Sequence, residues 1–146
     1  MQHQETRLLP YSADQMFDLV ASIERYPEFL PWCKDSRIVS RGKDSVTADL
    51  IVGYKLFREK FTSEVTLNRP QSIEVRYSSG PLSRLSTLWQ FTPVAKRGRG
   101  KNCELSFQLD FDLRSPLLRA TMFLFFDKAL TKMATAFEER ARILYG

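Results

Sequence analysis

The chain holds one histidine, His3, among 146 residues. Ser-His-Asp triads, Cys-His pairs and histidine-based zinc sites all need an imidazole fixed by a fold, and His3 sits at a terminus that reads as frayed. Any catalysis would then rest on carboxylates, tyrosines or lysines. Cysteine is nearly as scarce. Cys33 and Cys103 stand seventy positions apart, which is neither a disulfide framework nor a C-x-x-C site and which fits a reducing compartment. Long apolar runs are missing too: LLRATMFLFF at 117–126 is about half of the ~20 residues that cross a bilayer. The opening MQHQETRLLPYS has no apolar signal core and no Arg-rich leader. A soluble protein is expected.

Negative charge is in deficit. Lys and Arg number 22 against 17 Asp and Glu, a formal charge of +5. Such a surplus favours acidic partners, whether nucleic acid, ribosome or anionic lipid, and equally serves plain solubility. With 43% hydrophobic and 27% charged residues, the composition is that of one ordinary globular domain over 1–146.

The local signals are sharper. ETRLL at 5–9 reads as a strand that Pro10 ends. SADQ at 12–15 is a capping box, and with Met16, Phe17, Leu19 and Val20 on one side it predicts a helix over 13–21. Ser22 caps a further short turn; Tyr26, before a proline, is pushed out of helical geometry, and Pro27 opens one more turn that Pro31 stops. The period then becomes two. Segments 35–41, 44–52, 57–67, 71–78, 84–92 and 102–112 predict strands, joined by the turns RGKD, NRPQ, SSGP and KRGRGKN. In CELSFQLDFDL, Cys103, Leu105, Phe107, Leu109 and Phe111 point one way and Glu104, Ser106, Gln108, Asp110 and Asp112 the other, so one face of the sheet is dry. Ser115 and Pro116 start a helix over 116–143, with Leu118, Met122, Phe125, Phe126, Ala129, Met133, Ala136 and Phe137 in one stripe. The predicted fold is α+β: a curved antiparallel sheet of about seven strands, two short helices after the first strand, and one long C-terminal helix across the dry face.

Pattern alone leaves two interiors open, a solid aromatic core or a hollow beneath the helix. Phe57, Glu59, Phe61, Ser63, Val65 and Leu67 turn inward on one strand, followed by Ile73, Val75 and Tyr77, then Leu85, Thr87, Trp89 and Phe91. Met122 and Met133 favour a hollow, because flexible methionine lines adaptable pockets. Glu59 and Ser63 favour it too, since a buried carboxylate needs a partner or water. Glu59 fits a strand end or an ion pair as well.

PYSADQMFDLV, YPEFLPWC, VGYKLFREKFTSEV, WQFTP and FEERA follow one another in this order. Together they resemble the coenzyme Q-binding branch of the START and polyketide-cyclase superfamily over nearly the whole chain. The resemblance implies a helix-grip (START/Bet v 1-like) fold with a hydrophobic tunnel. It implies a tunnel lined by Phe57, Glu59, Phe61, Ser63, Val65, Tyr77, Trp89, Phe91, Leu105, Phe107, Leu109, Met122, Phe126 and Met133, with an entrance at Tyr26, Pro27, Phe29, Leu30, Pro31 and Trp32. The implied ligand is ubiquinone, a polyprenyl quinone, carried without a required cofactor or metal and in support of respiratory electron transport and ubiquinone biosynthesis. Glu59, Ser63 and Tyr77 are the candidates for its head group. The implied location is the cytoplasm, peripheral to the inner membrane, in a bacterium, or the matrix side of the mitochondrial inner membrane for a processed eukaryotic protein. A related bacterial branch is described as a ribosome-association toxin, which gives the alternative of a protein that binds ribosomal subunits and blocks their association. Polyketide aromatases and cyclases, more distant, give a third reading that the want of a clear acid-base pair disfavours.

On this resemblance, ERYPEFLPWC at 24–33 borders the tunnel mouth. Pro27 and Pro31 would hold Tyr26, Phe29, Leu30 and Trp32 in place, leaving little ordering entropy to lose on binding. The plain alternative is a satellite cluster that plugs one end of the sheet. Contact with an anionic membrane has two candidate sites: Leu117 and Leu124 beside Lys128, and the loop residues Lys96, Arg97, Arg99 and Lys101, each worth ~1 kcal/mol near an anionic leaflet.

Overall fold

Seven runs of alternating residues pair into one antiparallel sheet. They are β1 (Gln2–Leu9), β2 (Cys33–Arg41), β3 (Ser45–Tyr54), β4 (Phe57–Asn68), β5 (Ser72–Ser79), β6 (Leu82–Val94) and β7 (Asn102–Leu113), in the order β1-β7-β6-β5-β4-β3-β2. Strands β2 to β7 meander, each beside its sequence neighbour, and β1 closes onto β7. Helix α1 (Ala13–Ala21) and a 3-10 segment (Ile23–Glu28) follow β1, and α2 (Pro116–Tyr145) ends the chain. The computed structural model describes residues 2–54, 57–94, 102–114 and 116–146, without the side chains at 54, 57, 118, 121–127, 130 and 131. Several expected features lie outside that description: Ser115 as a cap, the side chains of Phe57, Leu118, Met122, Leu124, Phe125 and Phe126, and the loop cations Lys96, Arg97, Arg99 and Lys101. No helix, among the described residues, is long and apolar enough to cross a membrane.

The expected capping box is formed at α1. Ser12 Oγ accepts the Gln15 N–H at 3.1 Å and Gln15 Oε1 accepts the Ser12 N–H at 2.9 Å. Met16, Phe17, Leu19 and Val20 are buried beneath it. The 3-10 segment departs from expectation, because Pro27 lies inside it instead of opening a new turn. A proline φ near −65° suits 3-10 geometry, so Tyr26 stays in the turn, and its carbonyl accepts the N–H groups of Phe29 at 3.2 Å and Leu30 at 2.9 Å.

Register shows how the dry face is built. One row across the sheet reads Leu67, Ile73, Trp89, Phe107 and Glu5; the next reads Val65, Val75, Thr87, Leu109 and His3. Each row is mostly apolar until β1, where a polar residue ends it. His3 is therefore not frayed: it pairs with Leu109 and its ring lies 6.1 Å from that of Phe107. β7 supplies a partner along the whole of β1, a non-local contact that the terminal sequence does not announce. Arg7, further along the same face, donates to Glu5 at 2.7 Å, to Glu138 at 3.1 Å and to Thr135 at 3.0 Å, and so ties the sheet edge to α2.

The C-terminal half of α2 is held on its other flank by aromatic packing. The Phe137 ring lies 5.0 Å from Trp89, 5.1 Å from Phe29 and 5.5 Å from Tyr26, and Trp89 lies 4.4 Å from Phe107. Nearby, Glu28 accepts from Arg140 at 2.6 Å and from Arg25 at 3.2 Å, and the Arg140 bond holds its carboxyl below the usual glutamate range.

Replacing Phe137, 1% exposed, by alanine is expected to cost about 3–5 kcal/mol in urea unfolding. Leu8→Ala, at a position 59% exposed on the outer face, is expected to stay within about 0.5 kcal/mol. A carboxylate whose folded pKa is depressed adds stability that is present above its unfolded value, ~4.3 for Glu, and lost as pH falls through the folded value. Glu28→Gln is accordingly expected to flatten part of the acid limb of a stability-against-pH curve and to leave the slope near neutral pH unchanged.

Candidate functional site

A cavity of about 130 Å³ lies between the dry face and α2. Its walls are Leu50 and Val52 from β3, Phe61 and Ser63 from β4, Val75 from β5, Leu85 from β6, Phe107 and Leu109 from β7, Ala129 and Met133 from α2, and Trp32 just before β2. Strand alternation places them: Leu50 pairs with Phe61, Val75 with Thr87, and Thr87 with Leu109, so each points to the same side of the sheet. Among the described residues of the wall, Ser63 is the one side chain that carries oxygen. It stands at a bulge, where the register with β5 shifts between Thr62 and Ser63, and such shifts re-aim side chains.

The expected lining residues whose side chains are described have different fates. Phe61, Ser63, Phe107, Leu109 and Met133 border the cavity. Val65, Trp89, Phe91 and Leu105 are buried in the packed core and do not border it. Tyr77 packs edge-on against Phe61 at 6.0 Å, and its hydroxyl accepts the Leu82 N–H at 2.8 Å. That hydroxyl closes the β5–β6 turn over Gly80, whose φ of 146° is glycine territory and where a Cβ would come 2.7 Å from the Tyr77 oxygen. Burial raises the Tyr77 pKa above the ordinary phenol value. Glu59 is a correction. It pairs with Val52 on the expected face but is exposed, because β5 stops pairing with β4 at Thr62. Glu59 stands at a strand end, in water, where a carboxylate needs no partner.

The expected entrance is corrected in part. Leu30 is 1% exposed and belongs to the core. Tyr26 and Phe29 are half-buried against Phe137, and the Tyr26 hydroxyl donates to the Val20 carbonyl. Tyr26 and Phe29 pack beside α2, where the Phe137 ring completes their aromatic cluster. Pro27 and Pro31 are exposed. Trp32 alone of the six forms part of the cavity wall. Sequence reasoning turned Val75 and Leu85 inward and put Ala129 in the helix stripe without counting them as lining, and it missed Leu50 and Val52, although the alternation of Val46, Ala48, Leu50 and Val52 in β3 carried the signal.

Chemically the cavity offers shape and apolar surface. Among the described residues it is bordered by no carboxylate, imidazole or amine, and they hold no cluster of three metal-ligating side chains. The two thiols stand apart and buried, Cys33 pushed up to about 12 and Cys103 to about 11 by burial, which leaves both as weak nucleophiles. A larger groove of about 530 Å³ along β1, β7, β6 and β5 is lined by Gln2, Gln4, Glu74, Ser86, Gln108 and Asp110, with His3, Thr87, Leu88 and Leu109. It is mostly the sheet's wet side and has none of the apolar enclosure found beneath α2.

These features have counterparts among known proteins. A Pseudomonas aeruginosa protein named Ribosome association toxin RatA is 38% identical over 143 residues, which cover 98% of this chain and 96% of that one. Coenzyme Q-binding protein COQ10 homolog B, mitochondrial, from Xenopus laevis is 33% identical; the match takes in 100% of this chain and 60% of that longer protein. A solved START superfamily protein from Mycobacterium smegmatis superposes with a TM-score of 0.82 at 20% identity, over 98% of each chain, a likeness of fold. The family described as polyketide cyclase / dehydrase and lipid transport matches residues 9–138, and the chain belongs to that family.

Proposed function

We propose that this chain binds an isoprenoid quinone and holds an apolar part of it in the cavity beneath α2, acting as a lipid carrier or chaperone for respiratory electron transfer and quinone synthesis. The observation that carries the reading is the composition of the wall: among the described residues it is aliphatic and aromatic except for one hydroxyl, Ser63. Such a surface rewards buried carbon, about 0.8 kcal/mol per methylene, and carries two groups able to donate to a quinone oxygen, the Ser63 hydroxyl and the Trp32 indole N–H. The name of the Xenopus relative, a coenzyme Q-binding protein, agrees with this ligand class. A cavity of about 130 Å³ has room for one ring or one isoprenoid unit, since a cavity of ~150 Å³ holds benzene. Accommodation of a longer tail requires α2 to lift from β3 and β4. The protein supplies no redox group to the ligand; it binds and shields.

A second reading has its own support. The Pseudomonas relative matches almost end to end and is named for ribosome association, and the surplus of positive charge suits an RNA-rich partner. Cosedimentation with ribosomal subunits at physiological salt separates the two readings.

The direct test is extraction. Protein purified from its native host is expected to carry a quinone whose ultraviolet absorbance changes on borohydride reduction. Val75→Phe puts a ring into the cavity at a cost of about 1–3 kcal/mol, and is expected to lower quinone content several-fold while the chain remains folded by circular dichroism. Undiminished quinone in Val75→Phe would move the ligand elsewhere.

A further inference from the structure

The inner face of the sheet loses its cover towards one end. On β5, Ile73 is 1% exposed, whereas Val75 and Tyr77, the next residues on the same face, are only half-buried. On β6 the same change falls between Thr87, which is buried, and Leu85, which is half-buried. Val75 and Leu85 border the cavity under α2, and so does Phe61, against which Tyr77 packs edge-on. The cavity therefore opens towards the β5–β6 turn at Gly80 and Pro81. It is closed on the side of Ile73 and Trp89, where Phe137 covers the sheet.

Polar groups gather at the open end. Leu82 is fully buried; its N–H donates to the Tyr77 hydroxyl at 2.8 Å, and its carbonyl accepts from Arg114 Nε at 3.0 Å. One backbone unit thus holds both a phenol on β5 and a guanidinium just past β7. Among the described residues nothing accepts the Tyr77 proton or bonds the Arg114 Nη groups, and Arg114 is exposed and in no ion pair. Glu59 stands at the same end. Arg114 and Glu59 both act electrostatically on the Tyr77 oxygen, Arg114 the more strongly. A phenol and a guanidinium donate to oxygen, and a carboxylate beside them disfavours a free anion. The set suits a neutral head group that carries carbonyl or ether oxygens.

We propose that this end is the mouth of the cavity and that Tyr77 and Arg114 hold the oxygens of the quinone head group there, with the isoprenoid unit inward. The inference rests on the quinone reading above and deepens it. The cavity has room for one ring or one isoprenoid unit, and donors at the mouth place the ring outside. Burial of the tail supplies affinity, and the two donors fix the orientation.

The test titrates the full chain with a benzoquinone bearing one isoprenoid unit and, separately, with 2-methyl-2-butene, the same unit without its ring, each followed at the Met133 methyl by NMR. Arg114→Gln, at an exposed side chain, is expected to weaken quinone binding about tenfold and to leave hydrocarbon binding within about twofold. Tyr77→Phe should act in the same direction, but it also strips the Leu82 N–H of its acceptor, so Arg114→Gln decides. Undiminished quinone affinity in Arg114→Gln puts the ring inward, beside Ser63, and overturns the proposal while the cavity reading stands. Equal losses for both ligands make Arg114 a structural residue and overturn it as well. A quinone titration that never saturates in the unmodified chain overturns the cavity reading and this inference together.

Discussion

One helix has to cover the apolar face of seven strands. Seven strands at ~4.8 Å spacing make a sheet about 29 Å across, whereas an α-helix with its side chains is ~10 Å wide. A flat sheet would leave most of its dry face in water. The sheet must curl, and additional cover must come from elsewhere in the chain. α1 provides some of it, through Phe17 edge-on to Phe91 at 5.8 Å. The 3-10 segment and the residues after it provide more, through Tyr26, Phe29 and Leu30. What these pieces and α2 leave uncovered from within, between β3, β4, β5 and Met133, is the cavity. The hollow is thus a geometric consequence of gripping one cylinder with a wide sheet.

The same constraint explains the edges. β1 and β2 are the two free margins of the sheet, and open margins invite unwanted pairing. β1 carries His3, Glu5 and Arg7 on its inner side, and Arg7 reaches Glu138 on α2. An inward-pointing charge at an edge is one of the known protections, and here it also pins the helix. β2 breaks its register twice, at Cys33/Asp35 and at Ile38/Ser40, and exposes Lys34, Arg37 and Arg41. α2 is therefore fixed through Arg7 on one flank and through Glu28 and Phe29 on the other, while Ala129 and Met133 present apolar surface to the cavity.

Much of the architecture was legible in the sequence. α1 matches the expected 13–21 because a capping box and an apolar side mark both the start and the buried face. The strands fall within a few residues of expectation because a period of two persists through them. What escaped depends on partners distant in the chain. β1 reaches Gln2 because β7 lies beside it, and nothing in QHQE announces that. Glu59 has the right parity, yet parity does not say where the neighbouring strand ends. Phe29 was read as a rim from its flanking prolines, but it packs against Phe137 and Arg140, more than a hundred residues on. A void is the least legible feature, since it follows from summed side-chain volumes and not from the order of apolar and polar residues.

The central claim is that the space under α2 receives an apolar guest. The most direct measurement is a heteronuclear NMR titration of the full chain with a short-tailed quinone, following the Met133 methyl and the Trp32 indole N–H. Both are predicted to shift together and saturate, with Tyr145 and Leu8 undisturbed. Saturating shifts that spare Met133 and Trp32, or no shifts at any attainable quinone concentration, would contradict the account.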